Sequence, residues 1–379
     1  MVKLIRVLSS AAVSVVTPLY LESLGLGPLY VGAAVVLMVL GNVASNLVVA
    51  RLRGQDLRLT LMAMSALTAA SGVALYASRE VAVIMAFLAL GNISATGTEA
   101  GPYQSVETSV IPLVSGDPQM AYTIYNFLGY AASSLGSLAV TPLRDLRVVY
   151  LGLVASGLAM LALYSRLTMP ARRSGKRYFS NDRSRSTASL LAAMFAADAF
   201  GGGLVSLSLL SFWFHYRYGV GLGRLGPLFS IALALTGVSI LATYPLARRY
   251  GNLDVMVFSH LASNVFLVGV ALSPSFALAA AMLLARQSLS QMDVPTRQAF
   301  MSEVFPREDL APANSLTNTA RLLASLPGGA IVGALVSAGA VQLPVLLAGV
   351  IKIGYDVSVY AKFRGPYRSL RPAGGDGRH

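Results

Sequence analysis

The chain has 379 residues, of which 55% are hydrophobic and only 12% are charged. This composition leaves too little polar sequence to cover a soluble globular protein, so the chain is interpreted as an integral membrane protein. The formal net charge of +13 is spread over alternate loops, as the positive-inside rule describes, and nucleic acid is therefore not expected as a partner.

Twelve apolar stretches are each about long enough to cross a bilayer as a helix. Lys3 and Arg6 in the first stretch resemble the start of a secretory signal, but no small-residue cleavage site follows, so this stretch is predicted to be retained. The Lys and Arg distribution predicts a multi-pass protein of the cell (plasma) membrane with both termini in the cytoplasm. The predicted spans are 4–21, 28–50, 59–78, 81–101, 119–140, 147–165, 187–211, 225–247, 254–273, 276–297, 312–337 and 341–361.

The longest polar stretch divides the predicted spans into two sets of six. Residues 1–165 are predicted to form an N-terminal six-helix bundle, and residues 187–363 a C-terminal six-helix bundle. Residues 166–186 would be a basic cytoplasmic linker that contacts anionic membrane lipids, and residues 364–379 a cytoplasmic tail. The predicted fold class is an all-α membrane protein with twelve transmembrane helices in two pseudo-symmetric bundles.

The two halves share a sequence repeat. The pattern A-x-x-x-x-N-x-x-x-x-x-A-S-x-x-G runs from Ala121 to Gly136 and returns from Ala313 to Gly328, 192 residues later. Glu99 in span 4 corresponds to an acidic residue in span 10 at a similar offset. One duplicated six-helix unit accounts for these matches.

Three charges in the second half lie deep inside predicted spans: Asp198, Arg286 and Arg321. Residue counts put each near the middle of the bilayer, where a charge costs about 2.5–3.5 kcal/mol and therefore faces a partner or a wet cavity. One interpretation is a structural ion pair between Asp198 and one arginine. The other is a cavity whose excess positive charge takes an anionic substrate group, with the arginines as ligands and Asp198 as the proton-coupling residue.

Three segments resemble parts of a known family. Leu246–Gly251, which reads LARRYG, resembles the signature loop of the major facilitator superfamily, although the loop's acidic residue is replaced by Arg248. The segments 292–300 and 314–321 look like the span 10–11 region of efflux-type, drug or solute permease-like members. The resemblance implies two six-helix bundles that rock around a central cavity, with spans 1, 4, 7 and 10 lining it and spans 2, 5, 8 and 11 at the contact between bundles.

On this arrangement, polar side chains of the lining and contact spans become candidates for substrate binding beside the two arginines, although packing between helices is an alternative for each. They are Asn92, Asn126, Gln287, Gln291 and Asn318. Glu99 has no cation near it in sequence and is a second candidate for proton coupling. A cytoplasmic gate is expected from Arg249, Asp293, Arg297 and Glu303.

Other charged residues are interpreted as structural. Asp293 and Arg297 could equally form an ordinary ion pair four residues apart. Lys352 and Asp356 have the same spacing on span 12 and are expected to neutralise each other. Glu107 is expected to be solvated.

The absence of cysteine excludes disulfides, thiolate metal ligands and cysteine nucleophiles. The histidines, His215, His260 and His379, are scattered and are interpreted as packing or surface residues. No metal site and no cofactor are expected. The chain lacks G-x-x-x-x-G-K-[ST] and the motifs G-x-G-D, H-E-x-x-H and G-x-S-x-G, so it is not expected to be an enzyme.

The predicted function is a secondary active transporter of a small polar or amphipathic solute, working by alternating access as a monomer. Proton-coupled efflux is the preferred direction, on the resemblance of spans 10 and 11. The alternative is a proton-coupled importer or exchanger of an organic or phosphorylated anion, which the arginines support. A receptor that does not transport, or a lipid scramblase, is the alternative from a different class.

Overall fold

The computed structural model describes residues 1–51, 55–98, 103–104, 106–107, 111, 118–166 and 179–370, and every regular element in these ranges is helical. The N-terminal half contains α1 (Val2–Ser23), α2 (Pro28–Arg51), α3 (Gln55–Ala77), α4 (Val81–Leu90), α5 (Pro118–Ala139) and α6 (Val149–Tyr164). The C-terminal half contains α7 (Asp182–Leu204), α8 (Leu207–Tyr218), α9 (Leu222–Tyr250), α10 (Asn252–Leu272), α11 (Phe276–Gln287), α12 (Asp293–Val304), α13 (Arg307–Ser325), α14 (Gly328–Ser337) and α15 (Leu343–Leu370).

Length and hydropathy support a membrane protein. Within the described ranges, nine helical segments are long and apolar enough to cross a bilayer, and α4 and α11 are apolar but shorter. Large apolar side chains face outward along these helices, including Leu135, Val238 and Leu272, which are 59%, 58% and 63% exposed. Such exposure is costly in water and is expected where the surface faces lipid.

Four predicted spans are interrupted rather than continuous. Span 4 stops as a helix at Leu90, and the chain then adopts left-handed conformations at Asn92 (φ 52°) and Gly97 (φ 72°). Span 7 breaks between α7 and α8, where the Ser206 hydroxyl caps the new helix by accepting from the Leu209 amide. Spans 10 and 11 break between α11 and α12 and between α13 and α14, the latter at Pro327. Hydropathy does not register these breaks, because apolar residues flank each of them.

The same helix pairs pack in both halves. α1 packs against α5 and α6, and α3 against α6; in the second half α7 packs against α13 and α15, and α10 against α15. The repeated glycines lie at equivalent contacts. A Cβ atom on Gly136 would stand 2.1 Å from the Leu8 carbonyl oxygen, and one on Gly328 would stand 2.3 Å from that of Gly203. The sequence repeat thus marks a site where only glycine permits two helices to approach so closely.

The halves contact each other along α2 and α14, α5 and α9, and α1 and α8. The approach of α2 to α14 is close, because a Cβ atom on Gly32 would lie 2.3 Å from the Gly329 carbonyl oxygen. One apolar core that includes Leu19, Val35 and Phe214 extends across both halves. α1 ends and α2 begins at this contact, so the halves are joined at the end of the molecule remote from Val2.

Candidate functional site

The interrupted part of span 4, residues 91–98, lies where the halves meet. Its backbone carbonyls lack helical partners, and side chains of four neighbouring helices donate hydrogen bonds to them. The pairs are Thr68 with Gly91, Asn42 with Ile93, Ser14 with Ser94, and Ser133 with Gly97. The Ala95 carbonyl accepts from the Ser208 amide at 3.1 Å, at the start of α8 in the other half. Non-helical backbone is therefore satisfied inside the protein, as a membrane interior requires.

Asp198 on α7 is the centre of a buried cluster of charges. Its carboxylate accepts from Lys352 Nζ at 2.5 Å, and the His260 Nε2 atom lies 3.5 Å from the same oxygen. Its other oxygen lies 3.9 Å from Arg297 and 4.0 Å from Arg321. Five helices, α7, α10, α12, α13 and α15, thus contribute charged or titratable groups to one place.

The sequence around Asp198 makes room for the lysine. A Cβ atom on Gly201, one turn beyond Asp198, would lie 3.0 Å from Lys352 Cγ. The lysine stem therefore crosses α7 at a glycine. Asp198 is 3% exposed and Lys352 is 6% exposed, so neither charge is solvated and each depends on the other.

His260 extends the cluster from Asp198 to α15. Its Nδ1 atom donates to Asp356 Oδ1 at 2.7 Å, and the Asn264 amide donates to Asp356 Oδ2 at 3.0 Å. The expected pair between Lys352 and Asp356 is wrong, because each contacts a different helix. A spacing of four residues makes a local pair possible, but here both side chains point into the bundle, where Asp198 and His260 face them.

Arg286 sits on the last turn of α11 beside this cluster. Its guanidinium donates to the adjacent Gln287 side chain, while its buried Nε atom has no hydrogen-bond partner. Asp198 and Asp293 act on it electrostatically, but among the described residues no carboxylate reaches ion-pair distance. Arg286 is therefore a partly buried cation without its own counter-ion in the described part of the chain.

Asp293 forms an ion pair within its own helix. It binds Arg297 at 2.7 Å, one turn along α12, and Arg297 also lies over the Phe195 ring at 5.6 Å. Counting the described residues of the cluster, four permanent cations, Lys352, Arg286, Arg297 and Arg321, face three carboxylates, Asp198, Asp293 and Asp356. Among these described residues there is one more cation than carboxylate before any charge on His260 is considered.

A cavity between the halves lies next to these residues. Polar side chains from both halves line it, among them Lys3, Gln104, Asn126, Tyr130 and Gln291. Tyr130 also acts electrostatically on Arg286, which connects the cavity to the charged cluster.

Only some of the residues predicted to bind substrate lie together at the cavity. Asn126 and Gln291 line the cavity, and Gln287 holds Arg286 and the Ser290 hydroxyl. Asn92 is buried just after α4, and neither of its side-chain amide atoms has a hydrogen-bond partner among the residues that the structure describes. Asn318 is exposed on α13. Glu99 lies outside the described residues.

The gate candidates fall in two places. Asp293 and Arg297 belong to the buried cluster, whereas Arg249 and Glu303 are exposed at the ends of α9 and α12. Arg249 lies over the Tyr250 ring at 5.2 Å, and Glu303 accepts from Asn252 at 2.8 Å. The gate stays a prediction.

A second buried ion pair holds the N-terminal half. Arg6 donates two hydrogen bonds to the Glu107 carboxylate, at 2.6 and 2.9 Å, and Glu107 also accepts from Tyr125 and Tyr164 at 2.6 and 3.2 Å. The expectation that Glu107 is solvated is wrong. Sequence position near a helix end suggested solvent, but three helices, α1, α5 and α6, direct donors at this carboxylate.

The sequence interpretation passed over His260, Asp356 and Lys352 as members of the site. A signal was present, since charges on spans 9 and 12 are expensive unless they meet other charges in the bundle. Tyr130 and Lys3 carried no signal that distinguishes them from interfacial residues.

Comparison with known proteins identifies a family of membrane proteins. A profile of the Major Facilitator Superfamily matches residues 2–329. The chain is 21% identical over 413 positions to YJR124C, an uncharacterised membrane protein of Saccharomyces cerevisiae, with 95% of this chain and 92% of the relative covered.

Solved transporters share the fold. The nucleoside transporter NupG superposes with a TM-score of 0.69 at 13% identity, covering 96% of this chain and 98% of that one. The human organic anion transporter MFSD10 gives a TM-score of 0.66 at 15% identity, covering 94% and 97%. Since the family profile spans well over half of the sequence, the chain belongs to the major facilitator superfamily.

Proposed function

We propose that the protein is a monomeric secondary transporter of the plasma membrane, with twelve spans in two six-helix bundles and both termini in the cytoplasm. The repeated helix pairs and the paired glycines at Gly136 and Gly328 support the two-bundle arrangement. With cytoplasmic termini, the joined end of the halves faces outward. The cavity between Asn126 and Gln291 then belongs to the inward-facing state of an alternating-access cycle.

The proposed substrate is a small organic anion, moved together with a proton. The observation that carries this proposal is the partly buried Arg286, which has no carboxylate in ion-pair contact among the described residues and lies near a cavity that polar side chains line in part. A guanidinium presents two parallel donors that match a carboxylate or phosphate. An anion bound there compensates the excess positive charge of the cluster, whereas a neutral solute leaves it uncompensated.

The human protein MFSD10, which has a similar fold, is described as an organic anion transporter, and this supports the same substrate class. Efflux of an amphipathic solute is the second candidate, and its support is the sequence resemblance of spans 10 and 11. Asp198, close to Lys352 and Arg321, is the proposed link between substrate and proton.

The first test is a thermal-shift panel on purified protein, using small carboxylates and phosphate monoesters beside neutral and cationic solutes of similar size. A ligand that binds only the folded state stabilises it by roughly 2.7 kcal/mol at 100 times its Kd. We expect anions to raise the melting temperature of the wild type and of Arg286→Lys, and to have little effect on Arg286→Gln.

Arg79→Gln is the matched control, since Arg79 is an exposed arginine in the loop between α3 and α4. It should respond to anions as the wild type does. Equal stabilisation of Arg286→Gln by the same anions would refute the assignment of the site. In sealed vesicles, anion-dependent proton movement separates a transporter from a receptor or a scramblase, because neither of these predicts coupled flux.

A further inference from the structure

His260 is a buried imidazole whose two nitrogens both face carboxylates. It is 5% exposed, with Nδ1 at 2.7 Å from Asp356 and Nε2 at 3.5 Å from Asp198. Carboxylate oxygens only accept hydrogen bonds, whereas a neutral imidazole has one donor. The Asn264 amide already donates to Asp356, which fixes that carboxylate as an acceptor on both oxygens. The same amide nitrogen lies 3.1 Å from Nδ1, but the contact of Nδ1 with Asp356 is shorter, at 2.7 Å, and a carboxylate requires a donor there. With its proton on Nδ1, the neutral ring turns a lone pair on Nε2 toward Asp198, and it presents a donor to both carboxylates only when it is protonated.

Several charged or titratable groups surround the ring, from every helix of the cluster. They are Asp198 on α7, Arg286 on α11, Asp293 and Arg297 on α12, Arg321 on α13, and Lys352, Tyr355 and Asp356 on α15. The Tyr355 ring meets the imidazole edge-on, with 5.9 Å between centroids. The cations approach Asp198, and the groups in direct contact with His260 are carboxylates, an amide and this phenol ring.

Asp198 is poorly suited to hold the transported proton. Three permanent cations, on α12, α13 and α15, lie within 4.0 Å of its carboxylate. Protonation would remove the negative charge and leave these cations, two of them buried, facing one another, which is the costly outcome of breaking a buried ion pair. Asp356 accepts from the His260 ring and the Asn264 amide, and both hydrogen bonds are stronger to the ionised carboxylate than to the protonated one.

We propose that His260 is the proton-binding residue of this transporter, with Asp356 holding the ring and Asp198 positioning its second nitrogen. The inference rests on the proposed proton-coupled function and assigns its proton to a residue. The step is a proton transfer from a hydronium ion of the aqueous phase to Nε2: an O–H bond of the hydronium ion breaks, an N–H bond forms on the ring lone pair that faces Asp198, and the imidazole gains one positive charge.

The arrangement also predicts how the proton is linked to the substrate. Asp198 contacts Arg321, whose side chain is 31% exposed, so the cluster reaches from the space between the halves to the buried ring. A proton on His260 adds to the excess of positive charge, and an anion at Arg286 compensates it. Proton and anion therefore bind together, and by linkage each raises the affinity for the other.

The experiment is a pH titration of ¹⁵N-histidine-labelled protein by NMR, with the His260 signals assigned by their absence from His260→Gln. The probe is an anion that stabilises the wild type in the thermal-shift panel, or acetate and inorganic phosphate if none does. We expect the added anion to increase the protonated fraction of His260 at a given pH, because the anion compensates the charge that the proton adds.

Transport measurements give a second readout in the same vesicles. His260→Gln should lose anion accumulation driven by a pH gradient while keeping anion exchange without a gradient, because glutamine keeps a polar side chain but does not titrate. His215→Gln is the matched control: His215 faces Glu22 at 3.1 Å near the joined end of the halves, and its loss should leave accumulation unchanged.

The two proposals fail separately. If His260→Gln still accumulates the anion with a pH gradient, or if the wild-type ring does not titrate, the assignment of the proton to His260 is overturned. The proposal that the protein transports an anion is unaffected by either result. If the wild type exchanges the anion but a pH gradient does not drive its accumulation, proton coupling itself is refuted. Should His260→Gln fail to fold, Asp356→Asn and the wild-type titration carry the test, and an unchanged titration in Asp356→Asn overturns the proposed role of Asp356.

Discussion

Replacing Gly32 by alanine should shift the protein away from the conformation described above. The new Cβ atom would lie 2.3 Å from the Gly329 carbonyl oxygen and 3.0 Å from the Gly333 Cα atom, both on α14 of the other half. The atoms that it meets belong to the backbone and cannot rotate away as a side chain can. The two helices, α2 and α14, must therefore separate by roughly 1 Å before the Cβ atom lies at van der Waals distance. Overpacking of this kind costs about 1–3 kcal/mol, and the cost applies only while the halves are joined at this end. Such a difference changes the ratio of two conformations by about 5- to 150-fold.

The chain contains no cysteine, so pairs of spin labels can be placed without removing native residues. Tyr76 at the end of α3 and Leu272 at the end of α10 are 38% and 63% exposed and lie in different halves at the joined end. We expect electron–electron distance measurements to show a longer distance in Gly32→Ala than in the labelled parent.

Gly354→Ala is the control, because Gly354 lies inside α15 and a Cβ atom there has nothing within 4 Å. It should leave the label distances unchanged and stabilise its helix by up to about 1 kcal/mol. A folded Gly32→Ala protein with the parent's distance distribution would refute the argument that glycine contacts hold the halves together at this end.

Two further predictions concern stability. Gly136→Ala places a Cβ atom 2.1 Å from the Leu8 carbonyl oxygen within one half. It should therefore lower the free energy of unfolding by about 1–3 kcal/mol, seen as a lower melting temperature, without lengthening the distance between the spin labels. Glu107→Gln leaves Arg6, which is 3% exposed, without its counter-charge and should lower the free energy of unfolding by about 3–5 kcal/mol. Asp145→Asn breaks an exposed ion pair and should change the melting temperature little. Equal effects of the two substitutions would contradict the role of Glu107 as the partner of a buried cation.

Hydropathy predicted where helices lie and did not predict where they break. The helix at α1 matches its predicted span within two residues at each end, because apolar length alone defines it. The interruption at 91–98 depends on distant partners: the Ser94 carbonyl is satisfied by Ser14, and the Ala95 carbonyl by the Ser208 amide. A single-sequence pattern does not contain such tertiary hydrogen bonds, although the Gly-Asn and Thr-Gly pairs there are typical of turns.

For the candidate site, depth in the bilayer predicted which charged residues lie close together but not which side chains pair with them. Asp198, Arg286 and Arg321 do lie in one charged cluster, as their similar depth indicated. The partner of Asp198 was missed because Lys352 has a carboxylate four residues away, and a local pair is the simpler interpretation of that spacing. Only the packing of α15 against α7 and α10 decides between a local and a distant partner.

The charged cluster and the contact between the halves occupy different places, and two interrupted spans join them. Asp198 lies on α7, and α8 beyond the break carries Ser208, which donates to Ala95 of the other half. Arg321 lies on α13, and α14 beyond its break carries Gly329, which meets Gly32. In the proposed cycle, a proton on His260 would act first on one part of each broken span, while the halves would separate at the other part. Breaks at 205–206 and 326–327 allow the two parts to move differently, which continuous helices would resist.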